Sequence, residues 1–336
     1  MPYEFACAEN IGDRKEQQDR VMVMTHPAYA GVTLALIADG MGGHTGGALA
    51  AQSVADAITT MFAGFQPGTG AAQDWLRGMV NAAQDRVAGA GQGFNRDPRS
   101  TCVVALAQPG RIDWVHCGDS RLYLFRDNKF VSRTEDHSLV EVLLQQGKIT
   151  EAESLTHPER SKVFSSLGGP EAPQMTFGAL VDVNARDTVL LCSDGLWAHF
   201  DSNELADLTA YRTLPGACER LIGLARHRAK GSGDNVSVAM IRLPGPPLKP
   251  GLIGTLFGAR AVEPSPFEDA RRYVIRVLRT SMGATANDLT VRIESCQTVR
   301  DLTARLPRCT AALEHVAGSA IATVFTQRTL ELLEET

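Results

Sequence analysis

The chain has 336 residues with 33 basic and 38 acidic side chains, a formal net charge of −5. That balance lacks the electrostatic footprint of a nucleic-acid-binding surface, and no apolar run approaches the ~20 residues that a membrane helix needs. The opening Met-Pro-Tyr-Glu-Phe has no basic segment followed by an apolar one, so no signal peptide is expected.

Composition is ordinary for a globular chain, and the length suits one large domain or a domain plus an appendage. Seven cysteines (Cys7, Cys102, Cys117, Cys192, Cys218, Cys296 and Cys309) are scattered without a Cys-x-x-Cys pair. They read as reduced core thiols in a cytoplasmic protein, not as disulfides or a zinc cluster.

In chain order, Tyr3–Glu9 reads as a strand, followed by the polar loop Asn10–Asp19 and a second strand, Val21–Thr25, ended by Pro27. The apolar run from Thr33 to Ala38 reads as a buried strand that ends on Asp39 and Gly40, before a loop rich in glycine. Helices are predicted over Gly47–Phe62 and Ala71–Ala90. The Gly89–Gly93 stretch breaks the second helix; with no strand before it, it is not a dinucleotide fingerprint.

Three strands follow at Thr101–Ala107, Arg111–Cys117 and Arg121–Arg126. Pro109-Gly110 turns between the first two, and Gly118-Asp119-Ser120 is expected to be a tight hairpin loop between the second and third. After a short strand, Phe130–Arg133, a helix is expected over Asp136–Gly147, then an irregular segment with Pro158, Pro170 and Pro173. The strand Thr188–Ser193 again ends on Asp-Gly, at Asp194-Gly195. Helices at Ser202–Leu208 and Pro215–Lys230, a Gly-rich loop reaching Asp234-Asn235, and a last strand, Val236–Arg242, complete this part. Strands with few crossover helices, and helices in successive pairs, indicate an α+β fold of antiparallel sheets with helices outside.

The composition then shifts. Leu243-Pro-Gly-Pro-Pro-Leu-Lys-Pro-Gly251 excludes regular structure. The expected organisation is a domain over 1–243, a linker over 244–266 and a small helical module over 267–336. Its apolar set includes Tyr273, Val274, Val277 and Leu278.

Asp39, Asp119 and Asp194 share one grammar, an apolar strand and then Asp before a small residue; Asp234 precedes the last strand. One such Asp is a turn. Several gathered at one end of packed sheets repel one another unless cations neutralise them. Oxygen ligands without His or Cys suit Mg²⁺ or Mn²⁺. A pair of such ions lowers the pKa of a shared water, which attacks phosphorus in line. A forked cation for phosphate is also required, and Arg14 is the candidate.

The pieces Gly12-x-Arg14-x-x-Gln17-Gln18-Asp19, Ala38-Asp39-Gly40-Met41-Gly42-Gly43-His44, Gly118-Asp119-Ser120-Arg121, Cys192-Ser193-Asp194-Gly195-Leu196 and Gly233-Asp234-Asn235-Val236-Ser237 occur in this order. Together they resemble the motifs of the 2C-type metal-dependent serine/threonine protein phosphatases (the PPM family), most closely the bacterial branch. The resemblance covers roughly residues 3 to 242 and none of the tail.

It implies a four-layer αββα sandwich of two antiparallel sheets flanked by helix pairs, plus the C-terminal helical module. It also implies two Mn²⁺ or Mg²⁺ ions, with a third, weaker one, in a cleft at one edge. By resemblance, Asp39 bridges the two metals, Gly40 offers its carbonyl oxygen, and Asp194 and Asp234 complete the first site. Asp119 serves the third with Asp194, Asp19 is a further acid nearby, and Arg14 binds phosphate. Residues 136–173 correspond to a flap beside the cleft.

Two departures are notable. Gln18 stands where a Glu is usual, and Met41 where some members carry a His proposed as general acid, which leaves His44 as the candidate. His137 is expected to cap the flap helix, His116 to lie in the core and Trp197 to serve packing. The implied activity is hydrolysis of phosphoserine and phosphothreonine in proteins, reversing a bacterial serine/threonine kinase, with the C-terminal module docking a protein partner. The alternative is a non-catalytic phosphoprotein-binding or regulatory scaffold on the same fold.

Overall fold

The run Thr33–Met41 is apolar at successive positions because both of its faces are covered. A computed structural model of the chain describes residues 3–42, 46–68, 71–91, 97–150, 153–154, 157–183, 185, 187–210, 213–242, 266–282, 286–296 and 298–334. They fall into two compact units, Met1–Leu248 and Lys249–Thr336.

In the first unit, one sheet has the order β1 (Glu4–Asn10), β11 (Val236–Arg242), β10 (Asp187–Cys192), β7 (Arg121–Arg126), β8 (Lys129–Arg133). The other runs β2 (Asp19–Thr25), β3 (Thr33–Met41), β5 (Cys102–Gln108), β6 (Arg111–Cys117), β9 (Thr176–Val181), with the two-residue β4 (Arg99–Ser100) on β3. All of these pairings are antiparallel.

Alternation along each strand separates three cores. Leu34, Leu36 and Ala38 of β3 pack under α1 (Gly46–Ala63) and α2 (Ala72–Ala90). Ala35 and Ile37 point the other way, to Leu191, Ala239 and Ile241 of the facing sheet. Val236, Val238 and Met240 of β11 pack under α4 (Asp194–Trp197), α5 (Ser202–Thr209) and α6 (Leu214–Ala229). The layers are therefore helices, sheet, sheet, helices, as expected.

Three local expectations are corrected. β3 does not stop at Asp39: it continues to Met41, because β4 pairs Ser100 with Gly40 and Arg99 with Met41. Gly118–Ser120 is not a hairpin loop, since β6 pairs with β5 and β9 while β7 pairs with β10 and β8. The segment is a corner by which the chain leaves one sheet for the other, with Gly118 at φ 98°. The flap helix α3 spans only Leu139–Gln145, and Ser138, not His137, caps it by accepting from the Glu141 N–H.

The second unit has α7 (Pro266–Met282), α8 (Asn287–Glu294), α9 (Val299–Ala317) and α10 (Ser319–Glu334). Val274, Leu278, Ile293, Leu302, Leu306, Leu313 and Phe325 form its core. Tyr273 and Val277 pack against that core half-buried. No helix among the described residues is long and apolar enough to cross a membrane.

Candidate active site

Strand pairing brings the first two carboxylates together. Asp19 is the first residue of β2, not part of the preceding loop, and it is the register partner of Asp39 on β3. Asp19 is buried, 1 % exposed, and accepts a 2.7 Å hydrogen bond from the Ser193 hydroxyl. Ser193 Oγ in turn accepts from the Ser237 N–H at 3.0 Å. Asp194 opens α4 directly after β10, and Asp234 lies just before β11, the neighbour of β10. Asp119 comes from the corner between the sheets and is buried.

The five charges interact around Asp39. Burial, followed by Asp19, Asp194, Asp119 and Asp234, holds the Asp39 carboxyl well above the usual carboxylate range. Asp19 is pushed up to about 7, chiefly by burial, against which the Ser193 hydroxyl pulls it down. Asp194 is raised to about 6 by burial and then by Asp234. Asp119 is raised by burial and then by Asp194.

The remaining cluster member, Asp234, takes the Arg14 guanidinium on its carboxylate at 2.6 Å. Among the described residues this is the only salt bridge that any of the five makes.

The Arg14 loop is held by Asn235. Its Oδ1 accepts from the Gln18 N–H at 2.7 Å, while its Nδ2 donates to the carbonyls of Ile11 at 2.8 Å and Glu16 at 3.1 Å. Gly12, at φ 63°, lies against the Asp234 carbonyl so closely that a Cβ would stand 2.1 Å from that oxygen. Gln18, where an acid is usual, donates from Nε2 to the Glu16 carboxylate at 3.2 Å. A carboxylate thus stands next to this position after all. Gly40 meets Gly47 of α1 backbone to backbone; a Cβ on Gly40 would lie 2.0 Å from the Gly47 carbonyl oxygen.

A buried clamp fixes Asp119. The Trp197 indole N–H donates to the Asp119 carbonyl at 2.9 Å, so this side chain does more than pack. The Arg121 guanidinium lies 3.6 Å over the Trp197 ring and forks to Asp136 at 2.8 and 2.7 Å. On the other side, His137 Nδ1 accepts from the Gly118 N–H at 3.2 Å, with Nε2 facing Thr176 Oγ1 at 2.9 Å. Burial, and then His116, lowers His137 to about 4, which keeps it neutral and able to accept. His116 is fully buried, as expected of a core residue, and stacks on His137 at 4.6 Å. Thr101 joins the two halves: its N–H donates to the Asp39 carbonyl at 2.9 Å, and its hydroxyl pairs with Ser120 Oγ at 2.7 Å.

Arg14, Asp19, Asp39, Gly40, Asp119, Asp194 and Asp234 are thus drawn into one neighbourhood. His44 lies outside the described residues. Asn235, Ser193 and Trp197 carry positioning bonds that sequence reasoning did not assign. The signal for them was adjacency, since each sits within three residues of a cluster Asp. Among the described residues, no three His, Cys, Asp or Glu side chains are arranged as a single ligand set. The cluster suits cations that complete their shell with carbonyl oxygen and water, as Mg²⁺ and Mn²⁺ do. It does not suit zinc.

A family model described as protein phosphatase 2C matches residues 8–221. The chain belongs to the protein phosphatase 2C family. It is a protein serine/threonine phosphatase by that membership. The protein phosphatase PhpP of Streptococcus pneumoniae is 30 % identical over 243 residues, covering 71 % of this chain and 97 % of PhpP. The crystal structure of the serine/threonine phosphatase PstP/Ppp of Mycobacterium tuberculosis superposes with a TM-score of 0.64 at 31 % identity, over 73 % of this chain and 100 % of that one. A structure of the PstP catalytic domain in complex with two manganese ions gives a TM-score of 0.62 at 28 % identity, over 72 % of this chain and 98 % of that one. What these phosphatases share with the chain is the two-sheet unit that carries the carboxylate cluster.

Proposed function

We propose that the protein hydrolyses phosphoserine and phosphothreonine esters of proteins in a reaction that needs Mn²⁺ or Mg²⁺. One observation carries this: Asp39 is the hub of five clustered carboxyl groups, of which Asp19, Asp39, Asp119 and Asp194 are held up first by burial and then by neighbouring negative charge, and a single arginine stands at their rim. Such a cluster is stable ionised only around cations. Asp39, the Gly40 carbonyl, Asp194 and Asp234 would hold two ions. Asp119 with Asp194 would hold a third, weaker one, with Asp19 as a further ligand or as a partner through water. A relative on the same fold in complex with two manganese ions supports divalent cations as the cofactor. When bound, the cations supply charge neutralisation for the phosphate and lower the pKa of water.

The residues of the chain do the rest. Arg14 is exposed and leaves Asp234 to fork onto phosphate oxygens. Ser193 and the β2–β3 register keep Asp19 aimed at Asp39, and the Trp197–Arg121–Asp136 clamp holds Asp119 at the root of the flap. His44 is the proposed donor to the departing alkoxide. The substrates are phosphoproteins of a serine/threonine kinase in the cytoplasm, a reducing compartment consistent with seven free cysteines. The scaffold alternative loses ground because the acidic cluster is intact.

The test is phosphate release from a phosphothreonine peptide and an aryl phosphate, with Mn²⁺, with Mg²⁺ and with chelator. Turnover should vanish with chelator and in Asp39→Asn. Equal hydrolysis in chelator would refute the reading.

A further inference from the structure

Asp13 stands directly before Arg14 and belongs to neither the carboxylate cluster nor the phosphate clamp. It nevertheless grips the loop that carries Asp234. Its backbone N–H donates to the Gly233 carbonyl at 2.9 Å, and its carboxylate Oδ2 accepts from the Gly233 N–H at 2.7 Å. Both backbone polar groups of Gly233 are thus held by one residue. Gly233 is buried, so its N–H depends on that carboxylate.

The local sequence explains the fit. Gly12 takes φ 63°, its N–H donates to Asn10 Oδ1 at 2.9 Å, and the Arg14 N–H closes the turn onto the Ile11 carbonyl at 3.4 Å. The turn lays two consecutive residues on two others, Asp13 on Gly233 and Arg14 on Asp234. Gly233 has no side chain to obstruct this. A Cβ there would stand 3.0 Å from the Ala229 Cβ and 3.2 Å from Asp13 Oδ2.

The two contacts differ in what turnover demands of them. The Arg14–Asp234 pair is exposed and opens when the guanidinium forks onto phosphate. The Asp13–Gly233 bonds use no group that phosphate needs, so they persist. Asn235 holds the loop on either side, at Ile11, Glu16 and Gln18. Asp13 holds it next to the arginine itself. Asp234 keeps its own bond from the Asn235 N–H at 2.8 Å, so its aim does not depend on Arg14.

We propose that Asp13 is a positioning residue for Arg14. The Asp13–Gly233 staple keeps the arginine's backbone at the cleft while its guanidinium moves from Asp234 to phosphate. The proposal rests on the reading of Arg14 as the phosphate clamp. Without the staple, the loop is ordered anew each time phosphate binds. That cost is common to the bound ground state and the transition state, so it appears in KM and not in kcat.

The experiment is aryl phosphate hydrolysis by the full chain in saturating Mn²⁺, for Asp13→Ala, Asp13→Asn, Arg14→Ala and the Asp13→Ala/Arg14→Ala double variant. Asp13→Ala should raise KM and the inhibition constant of inorganic phosphate together, about five- to tenfold, with kcat within about twofold of wild type. Asp13→Asn should recover most of the loss, because its Oδ1 can accept the same Gly233 N–H. In the Arg14→Ala background, Asp13→Ala should change kcat/KM by less than about twofold. A merely structural role would give the same loss in both backgrounds. Mn²⁺ affinity, measured by calorimetric titration, should be unchanged in Asp13→Ala. Asp13 is exposed, so the variants are expected to fold, and thermal melting of each checks this. Additive losses in the double variant, or a fall in Mn²⁺ affinity that matches the kinetic loss, would overturn the proposal, the second by placing the effect at Asp234. If Arg14→Ala is impaired and Asp13→Ala keeps the wild-type KM, the staple falls and the clamp stands. If Arg14→Ala itself is unimpaired, the clamp reading falls and the proposal with it.

Discussion

Replacing Asp19 by Asn should stabilise the metal-free protein while damaging its activity. Asp19 is almost fully buried, opposite Asp39, and its carboxyl is pushed up to about 7, first by burial. In the unfolded chain the same group titrates near ~4. Between those values the folded state holds a proton that the unfolded state has released, so stability falls as pH rises through the window and is lowest above about 7. The full penalty at pH 8 is about 4 kcal/mol. Asp39 and Asp194 share the field, so roughly half of it, about 2 kcal/mol, should be recovered by removing one charge.

That gain corresponds to a rise of about 4–8 °C in Tm for a unit of this size. The Asn oxygen can still accept from Ser193. Scanning calorimetry in chelator at about pH 8 and about pH 5 makes the comparison, and at the lower pH the advantage should fall below half because wild-type Asp19 is then protonated. With Mn²⁺ present the order should reverse, since wild type gains binding energy that the variant lacks. An Asp19→Asn protein that melts lower in chelator at both pH values would refute the repulsion argument.

Arg14→Ala should lower kcat/KM for an aryl phosphate by roughly 30–100-fold, about 2–3 kcal/mol, measured in steady-state assays with saturating Mn²⁺. Its pair with Asp234 is exposed, so melting should move by less than about 0.5 kcal/mol equivalent. Trp197→Phe keeps a ring under Arg121 but deletes the N–H to the Asp119 carbonyl. It should cost about 1 kcal/mol in denaturant unfolding and weaken the lowest-affinity Mn²⁺ step in calorimetric titration. Residues 1–248 form a compact unit, so a truncated protein should retain aryl phosphate turnover within about twofold in a steady-state assay with Mn²⁺.

The amino-acid sequence by itself determined where the apolar strands lie and which residues stand at their ends. The buried runs Thr33–Ala38 and Thr188–Ser193, and the Asp-Gly steps after them, are local patterns of hydrophobicity and turn chemistry. The order of the five motifs was enough for the family. Outside the flap, helix ends were legible to within one or two residues, as at Gly46–Ala63 against an expected Gly47–Phe62.

Tertiary structure decided what local pattern does not carry. Strand partners are chosen by packing across the whole chain, so Gly118–Ser120 became a corner between sheets rather than a hairpin. The β2–β3 register, fixed by burial of alternate side chains, set Asp19 opposite Asp39. His137 could serve the Gly118 N–H instead of a helix cap only because the flap root folds back over that corner. The field that makes Asp39 a hub is also tertiary: charge repulsion depends on distance and burial, and those exist only once the sheet edges have met.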